Sequence, residues 1–168
     1  MATPLPVEPV RSAEAQRGSM AQIEGEIIIG RPSEVVFDFV ADERNEPSFN
    51  PRMVRAELVS GEPIGSGTRF RAAAKSMGRV LEMTLEYTRY ERPSRLDSVA
   101  HMASAETRGT LRFEPVPART RMRWSWDVEP RGFVKFLAPI VTRIGQRQEQ
   151  RIWASLKRHL EASETQSS

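Results

Sequence analysis

His101 and Asp97 stand four residues apart in the alternating segment LDSVAHM. An imidazole beside a carboxylate is a simple pair for moving a proton near neutral pH. Strand parity puts Asp97, Val99 and His101 on one face and Leu96, Ser98, Ala100 and Met102 on the other, so the pair points to solvent unless a bulge reverses the alternation. Tyr87, on the apolar face of its own segment, supplies the other hydroxyl able to carry a proton. Tyr87 and His101 are thus the two catalytic candidates, both weakly marked. His159 lies beside Arg158 and Glu161 near the end of a helical pattern, where a cation complements the helix dipole and does no chemistry.

The remaining chemistries are poorly provided for. The chain has two histidines and no cysteine. That excludes a disulfide framework, a thiolate nucleophile and a cysteine zinc site, and the histidines lack metal-binding spacing. GEPIGSGTRF has three glycines, but Thr68 and Arg69 open a strand where a phosphate loop needs Lys, then Ser or Thr, then a helix. Ser98, Ser104 and Ser125 lie in no G-x-S-x-G elbow. Neither a metal nor a cofactor is expected.

Charge points the same way. Lys and Arg number 25 against 22 Asp and Glu, a net +3 that does not call for a polyanionic partner. Arg119, Arg121 and Arg123 share a strand face, near Arg108 and Arg112. Without an aromatic platform on that face they read as a solvated surface paired with Glu106, Glu114 and Asp127, and no nucleic acid is expected. No run reaches the roughly 20 apolar residues of a membrane span, and no secretory signal opens the chain. These features, with the absence of cysteine, lead to the expectation of a cytoplasmic protein, monomeric or weakly dimeric.

The elements that must position any site follow from periodicity. Residues 1–21 carry no apolar period and read as a disordered tail; the domain is expected over 22–162, with a second tail at 163–168. IEGEIII is a strand, Pro32 opens a short helix carrying Val36, Phe39 and Val40 and ending near Asp42, and NEPSFNP makes a corner whose Phe49 plugs the core edge. From Met53 the period is two: Val54, Ala56 and Leu58; then Phe70, Ala72 and Ala74; Leu81, Met83, Leu85 and Tyr87; Leu96 to Met102; Thr107, Gly109, Leu111 and Phe113; and Met122, Trp124, Trp126 and Val128. That makes seven strands. A long amphipathic helix from about Phe133 to Glu161 follows, its stripe of Phe133, Phe136, Leu137, Ile140, Ile144, Ile152, Leu156 and Leu160 interrupted at Gln148, with Pro139 kinking it or marking where its regular part begins.

One helix is the only cover available for the apolar face of such a sheet, so the fold class is α+β, a bent seven-stranded antiparallel sheet around a long C-terminal helix. The small residues Ala72, Ala74, Ser98, Ala100 and Gly109 on the inner face cannot fill the space between sheet and helix, and a cavity follows. Its expected lining is Phe70, Ala72, Met83, Leu85, Tyr87, Ser98, Ala100, Met102, Thr107, Gly109, Leu111, Trp124, Trp126, Leu137, Ile144 and Gln148. Few polar groups face it: the hydroxyls of Tyr87, Ser98 and Thr107, the indole donors and Gln148. A small, largely apolar ligand with one polar end suits it. Arg147 or Arg151 is expected near the mouth.

The order of RPSEVVFDFVAD, NEPSFNP, GSGTRF and LKRHLEA, over about Gln22 to Ala162, resembles the SRPBCC or START-like superfamily, and within it the polyketide cyclase/dehydrase and lipid-transport group. Phe49 stands where relatives usually carry Trp. The resemblance implies a helix-grip fold around a cavity, in a superfamily whose members bind lipids, sterols, polyketides or plant hormones or catalyse cyclisation or hydroxylation. The expectation for this chain is a carrier or binding protein for a lipid, quinone, polyketide or similar molecule, or alternatively a cyclase/dehydratase-like enzyme. The superfamily's ring-hydroxylating branch needs iron-sulfur ligands that this chain lacks.

Overall fold

The computed structural model describes residues 21–76, 78–131 and 138–165. In these, seven strands form one antiparallel sheet in the order β1-β7-β6-β5-β4-β3-β2: β1 Ala21–Ile29, β2 Met53–Leu58, β3 Arg69–Ser76, β4 Arg79–Glu91, β5 Arg95–Met102, β6 Ala105–Val116 and β7 Arg119–Pro130. Consecutive strands from β2 to β7 are neighbours. The chain passes from β1 to β2, the two edges of the sheet, through α1 (Ser33–Ala41) and a 3-10 helix (Glu43–Ser48). The long helix α2 spans Ala138–Thr165 and packs against β1.

Local chemistry explains the connections. Pro32 precedes α1 with its carbonyl accepting from the Val36 N–H at 3.1 Å. The Asp42 side chain accepts from the Arg44 N–H and caps the 3-10 helix, and Pro47 is accommodated inside this short element, where few backbone donors are needed. Gly67 takes a φ of +83° between β2 and β3, a conformation that disfavours any side chain.

The expected alternation holds with local corrections. Val54 is 45% exposed because a register shift between Met53 and Arg55 turns it outward and leaves Met53 inward. A second shift between Tyr87 and Arg89 inserts an extra residue into β4, so Tyr90 returns to the inner side and meets Phe37 edge-on at 5.1 Å. The buried face of α1 is Val36, Phe37, Val40 and Ala41, with Phe39 only partly buried. α2 continues to Thr165, past Glu161 where the apolar period ends, so residues 163–165 are helical where a tail was expected. Pro139 lies in the first described turn of that helix. The expected Phe133, Phe136 and Leu137 fall outside the described residues, as do residues 1–20.

Helix α2 also protects the sheet edge. Gln146 Nε2 donates to the Glu24 carbonyl at 3.1 Å and Lys157 Nζ to the Ile28 carbonyl at 2.7 Å. The Gly30 N–H donates to Glu161 Oε1 at 2.7 Å. These bonds occupy two backbone acceptors and one donor that the sheet edge otherwise leaves open to other chains. The outer sheet face is laced with ion pairs, including Arg123 with Glu26 at 3.0 Å and Glu114 at 2.8 Å, and Arg108 with Glu106 at 2.9 Å.

Two tryptophans of β7 lie against glycines on neighbouring strands. Trp124 pairs with Gly25 and Trp126 with Gly109. A Cβ at Gly25 would overlap the Trp124 ring. Gly25→Ala is expected to cost ~1–3 kcal/mol by overpacking, read as a lower urea midpoint with an unchanged slope. An unchanged midpoint would show that the ring has room to shift.

Candidate ligand cavity

A cavity of about 350 Å³ lies between the sheet and α2, within the range of small-molecule sites. Strands β4 to β7 form one wall, and the corner before β2, strand β3 and α2 form most of the rest. Of the residues expected to line it, Met83, Leu85, Tyr87, Ser98, Ala100, Met102, Thr107, Leu111, Trp126 and Gln148 do so. Phe70, Ala72, Gly109 and Trp124 do not: the first two and Trp124 are packed into the core, at 0%, 3% and 3% exposure, and Gly109 is covered by the Trp126 ring, which occupies the place where a Cβ would stand. Ile144 is 61% exposed. The inward face of α2 keeps Gln148, Ile152, Leu156 and Leu160 of the expected stripe and adds Glu149 and Trp153 on its flank, while Ile144 at its start faces solvent. Leu137 lies outside the described residues. Arg147 and Arg151 are exposed and absent from the lining.

The two catalytic candidates also have other employment. His101 Nδ1 stands 3.3 Å from Glu106 Oε2 with its side chain 53% exposed, on the outer face that parity assigns. Its supposed partner Asp97 is bound by Arg95 at 2.9 Å. Tyr87 is buried, but its hydroxyl lies 2.9 Å from the Ala41 carbonyl and 3.1 Å from Glu43 Oε1, tying β4 to the end of α1. Burial, followed by the charge on Glu43, holds its pKa well above the ordinary phenol value.

What the sequence did not disclose is a polar end built of carboxyl groups. Glu43 and Glu46 of the 3-10 helix and Glu149 of α2 all line the cavity. Trp126 Nε1 donates to Glu149 Oε2 at 2.8 Å, and Asn50 Nδ2 donates to Glu46 Oε1 at 2.7 Å. Burial pushes the Glu149 carboxyl up to about 7; the Trp126 hydrogen bond opposes this and the nearby Glu46 charge adds to it. Burial, with Glu46 again as the like-charged neighbour, pushes Glu43 well above the carboxylate range. Glu46 is therefore the common neighbour of the other two. Arg52, at the start of the β2 region, donates through Nη1 to Gln148 Oε1 and through Nε to the Lys75 carbonyl at 3.0 Å. Gln148 thus meets a polar partner across the cavity from the sheet edge, which removes the cost of an unpaired amide.

Aromatic rings frame this end. Trp153 stacks with Phe49 at 6.2 Å and with Trp126 at 6.4 Å, and lies 5.9 Å from Trp124. Glu149 and Trp153 share a helix face four residues apart. Glutamates on a corner and on the polar flank of a helix read as solvated residues until the fold brings them together, so the sequence held no separate signal for them.

A family model described as polyketide cyclase / dehydrase and lipid transport matches residues 20–161. The chain belongs to this family. No curated protein matches it. Among solved structures, a protein from Thermus thermophilus superposes with a TM-score of 0.74 at 21% identity, covering 84% of this chain and 98% of the other. A START superfamily protein from Mycobacterium smegmatis gives 0.73 at 14% identity, covering 84% and 98%. The Zhui aromatase/cyclase from Streptomyces sp. R1128 gives 0.65 at 15% identity, covering 83% and 95%. At these identities the structures share the fold: an open seven-stranded antiparallel sheet gripping a C-terminal helix. As a family member the chain is placed among proteins of hydrophobic-ligand binding or cyclase activity. Among the described residues no helix is long and apolar enough to cross a membrane.

The Glu149 carboxyl makes stability depend on pH. Its folded pKa, about 7, lies above the ordinary 4.5, so its contribution is complete below the unfolded value and is lost as pH rises through 7. The loss is on the order of 3 kcal/mol. Glu149→Gln is expected to melt above the wild type at pH ~8 and to lose that advantage near pH ~5. Parallel melting curves across pH would show that the carboxyl titrates normally.

Proposed function

We propose that the protein binds a small, largely apolar ligand with one polar end in the cavity between sheet and helix, as a carrier or binding protein. The observation that carries this reading is the cavity of about 350 Å³, walled by Leu81, Met83, Leu85, Met102 and Leu111 and ended by the three glutamates. Apolar walls supply affinity through burial, and the few polar groups fix orientation. Family membership is consistent with this reading without choosing between carriage and catalysis.

The test is native mass spectrometry of gently purified protein together with titration against quinones, fatty acids and aromatic polyketides, followed through the indole N–H signals of Trp126 and Trp153. A bound apolar molecule that shifts both signals is the expected result. Failure to capture or titrate any such molecule would overturn the reading.

A second reading is a cyclase/dehydratase-type enzyme on a hydrophobic substrate in the same cavity. Glu149 favours it, since a carboxyl with a pKa of about 7 can both give and take a proton at neutral pH. Protonated, it donates to a substrate carbonyl; ionised, it accepts a proton from carbon or from a hydroxyl. On this reading Glu149→Gln abolishes turnover of a poly-β-keto substrate while leaving its binding intact. Turnover that survives in the variant would remove Glu149 from the chemistry, and absence of turnover by the wild type would leave binding as the function.

A further inference from the structure

Three glutamates converge at one end of an apolar cavity, and no ion pair formed by the described residues neutralises any of them. Among the described residues the arginine beside them, Arg52, has its Nη1 on Gln148 and its Nε on the Lys75 carbonyl. Its charge lowers the Glu149 pKa only as the smallest of several influences. Glu43 and Glu149 are instead pushed towards their neutral forms by burial. A fold gains nothing in stability from this grouping, because buried carboxyls without a cation cost desolvation energy.

A second observation at the same place points to a ligand. Trp153, 7% exposed, lines the cavity. Its indole N–H helps hold the Glu149 pKa down but makes no hydrogen bond of ordinary geometry. Phe49 and Trp126, which also line the cavity, lie within 6.4 Å of it, centroid to centroid. Carboxyl groups and aromatic faces together are what an organic cation requires: the first supply charge and hydrogen-bond acceptors, the second the ring quadrupole.

Resting on the reading of the cavity as a ligand site, we infer that its ligand is an organic cation, a protonated amine carried on a flat apolar skeleton, with the ammonium held by Glu46 and Glu149 and the skeleton between Trp126 and the Met83 and Met102 wall. Among the described residues the other titratable groups facing this end are Glu43 and Tyr87, bonded to each other, Arg52, and the exposed Lys75 at the rim. A ligand carboxylate would meet the glutamates with like charge. Among the described residues no three acidic or histidine side chains are grouped to hold a metal ion, and the apolar walls suit a cation that brings its own apolar body. An ammonium among the glutamates replaces the missing counter-charge, so the complex forms with release of a proton from Glu149 and tightens as pH rises towards the pKa of the amine.

The test uses three probes of one shape: 2-naphthylmethylamine, 2-naphthylmethanol and 2-naphthoate. Calorimetry and the indole N–H signals measure their binding to the full chain at several pH values. The amine is expected to bind at least tenfold more tightly than the alcohol at pH ~8, with the naphthoate weakest, and its preference is expected to shrink on acidification. Glu149→Gln should weaken the amine about tenfold and leave the alcohol unchanged. Equal or tighter binding of the alcohol or the naphthoate would overturn the cation assignment while upholding the apolar cavity. Binding of none of the three would overturn both.

Discussion

Trp153 stacks against Phe49 and the β7 tryptophans, and in that one aromatic cluster the long helix, the corner before β2 and the sheet all meet. Burying rings of this size supplies more free energy than any polar contact in the molecule. The cluster also sets the rotation of α2, and thereby decides that Glu149 points inward and Ile144 outward. Hydrogen bonds from Gln146 and Lys157 to β1 carbonyls then hold the helix along the sheet edge.

The same clasp creates the cavity. A bent sheet of seven strands presents more concave surface than one helix can cover, and the lining residues Ala74, Ser98 and Ala100 do not fill the remainder. Where large side chains do fill it, they do so over glycine: Trp124 lies against Gly25 and Trp126 against Gly109. Space and packing are thus allotted by alternating large and small residues across neighbouring strands. Tyr87 belongs to the packed part, its hydroxyl committed to the end of α1, and this is why a phenol on the inner face supplies no free proton carrier.

Burial gives the cavity its chemical character. In water Glu43, Glu46 and Glu149 would be ordinary carboxylates. Glu149, set against Trp126 and Trp153, and Glu43, bonded by the Tyr87 hydroxyl, both lie near Glu46 and are driven towards protonation. This arrangement trades stability for a poised site, a common property of places where a protein binds or reacts. Binding and proton transfer are both open to such a group, because the energy that raises its pKa is recovered when a partner of the right charge or a transferable proton arrives.

The architecture is legible in the sequence: period-two segments with one apolar face, a single amphipathic helix to cover them, and turns placed by Pro and Gly. Short-range rules suffice for that, since strand parity and helical spacing are local. The surface role of His101 is legible too, because parity alone sends that side chain outward, and so is the placing of Met83, Ser98, Ala100 and Trp126 on the side where the cavity lies. The polar end is not, and packing alone settles it. The bulges near Val54 and Thr88 shift parity by one residue, a change no alternation pattern announces. The rotation of α2 is set by the fit of Trp153 among rings from elements far apart in the chain. Glu43, Glu46 and Glu149 become one site only when a corner and a helix separated by about a hundred residues pack face to face, and the raised pKa values of Glu43 and Glu149 come from an enclosure that exists in the folded molecule alone.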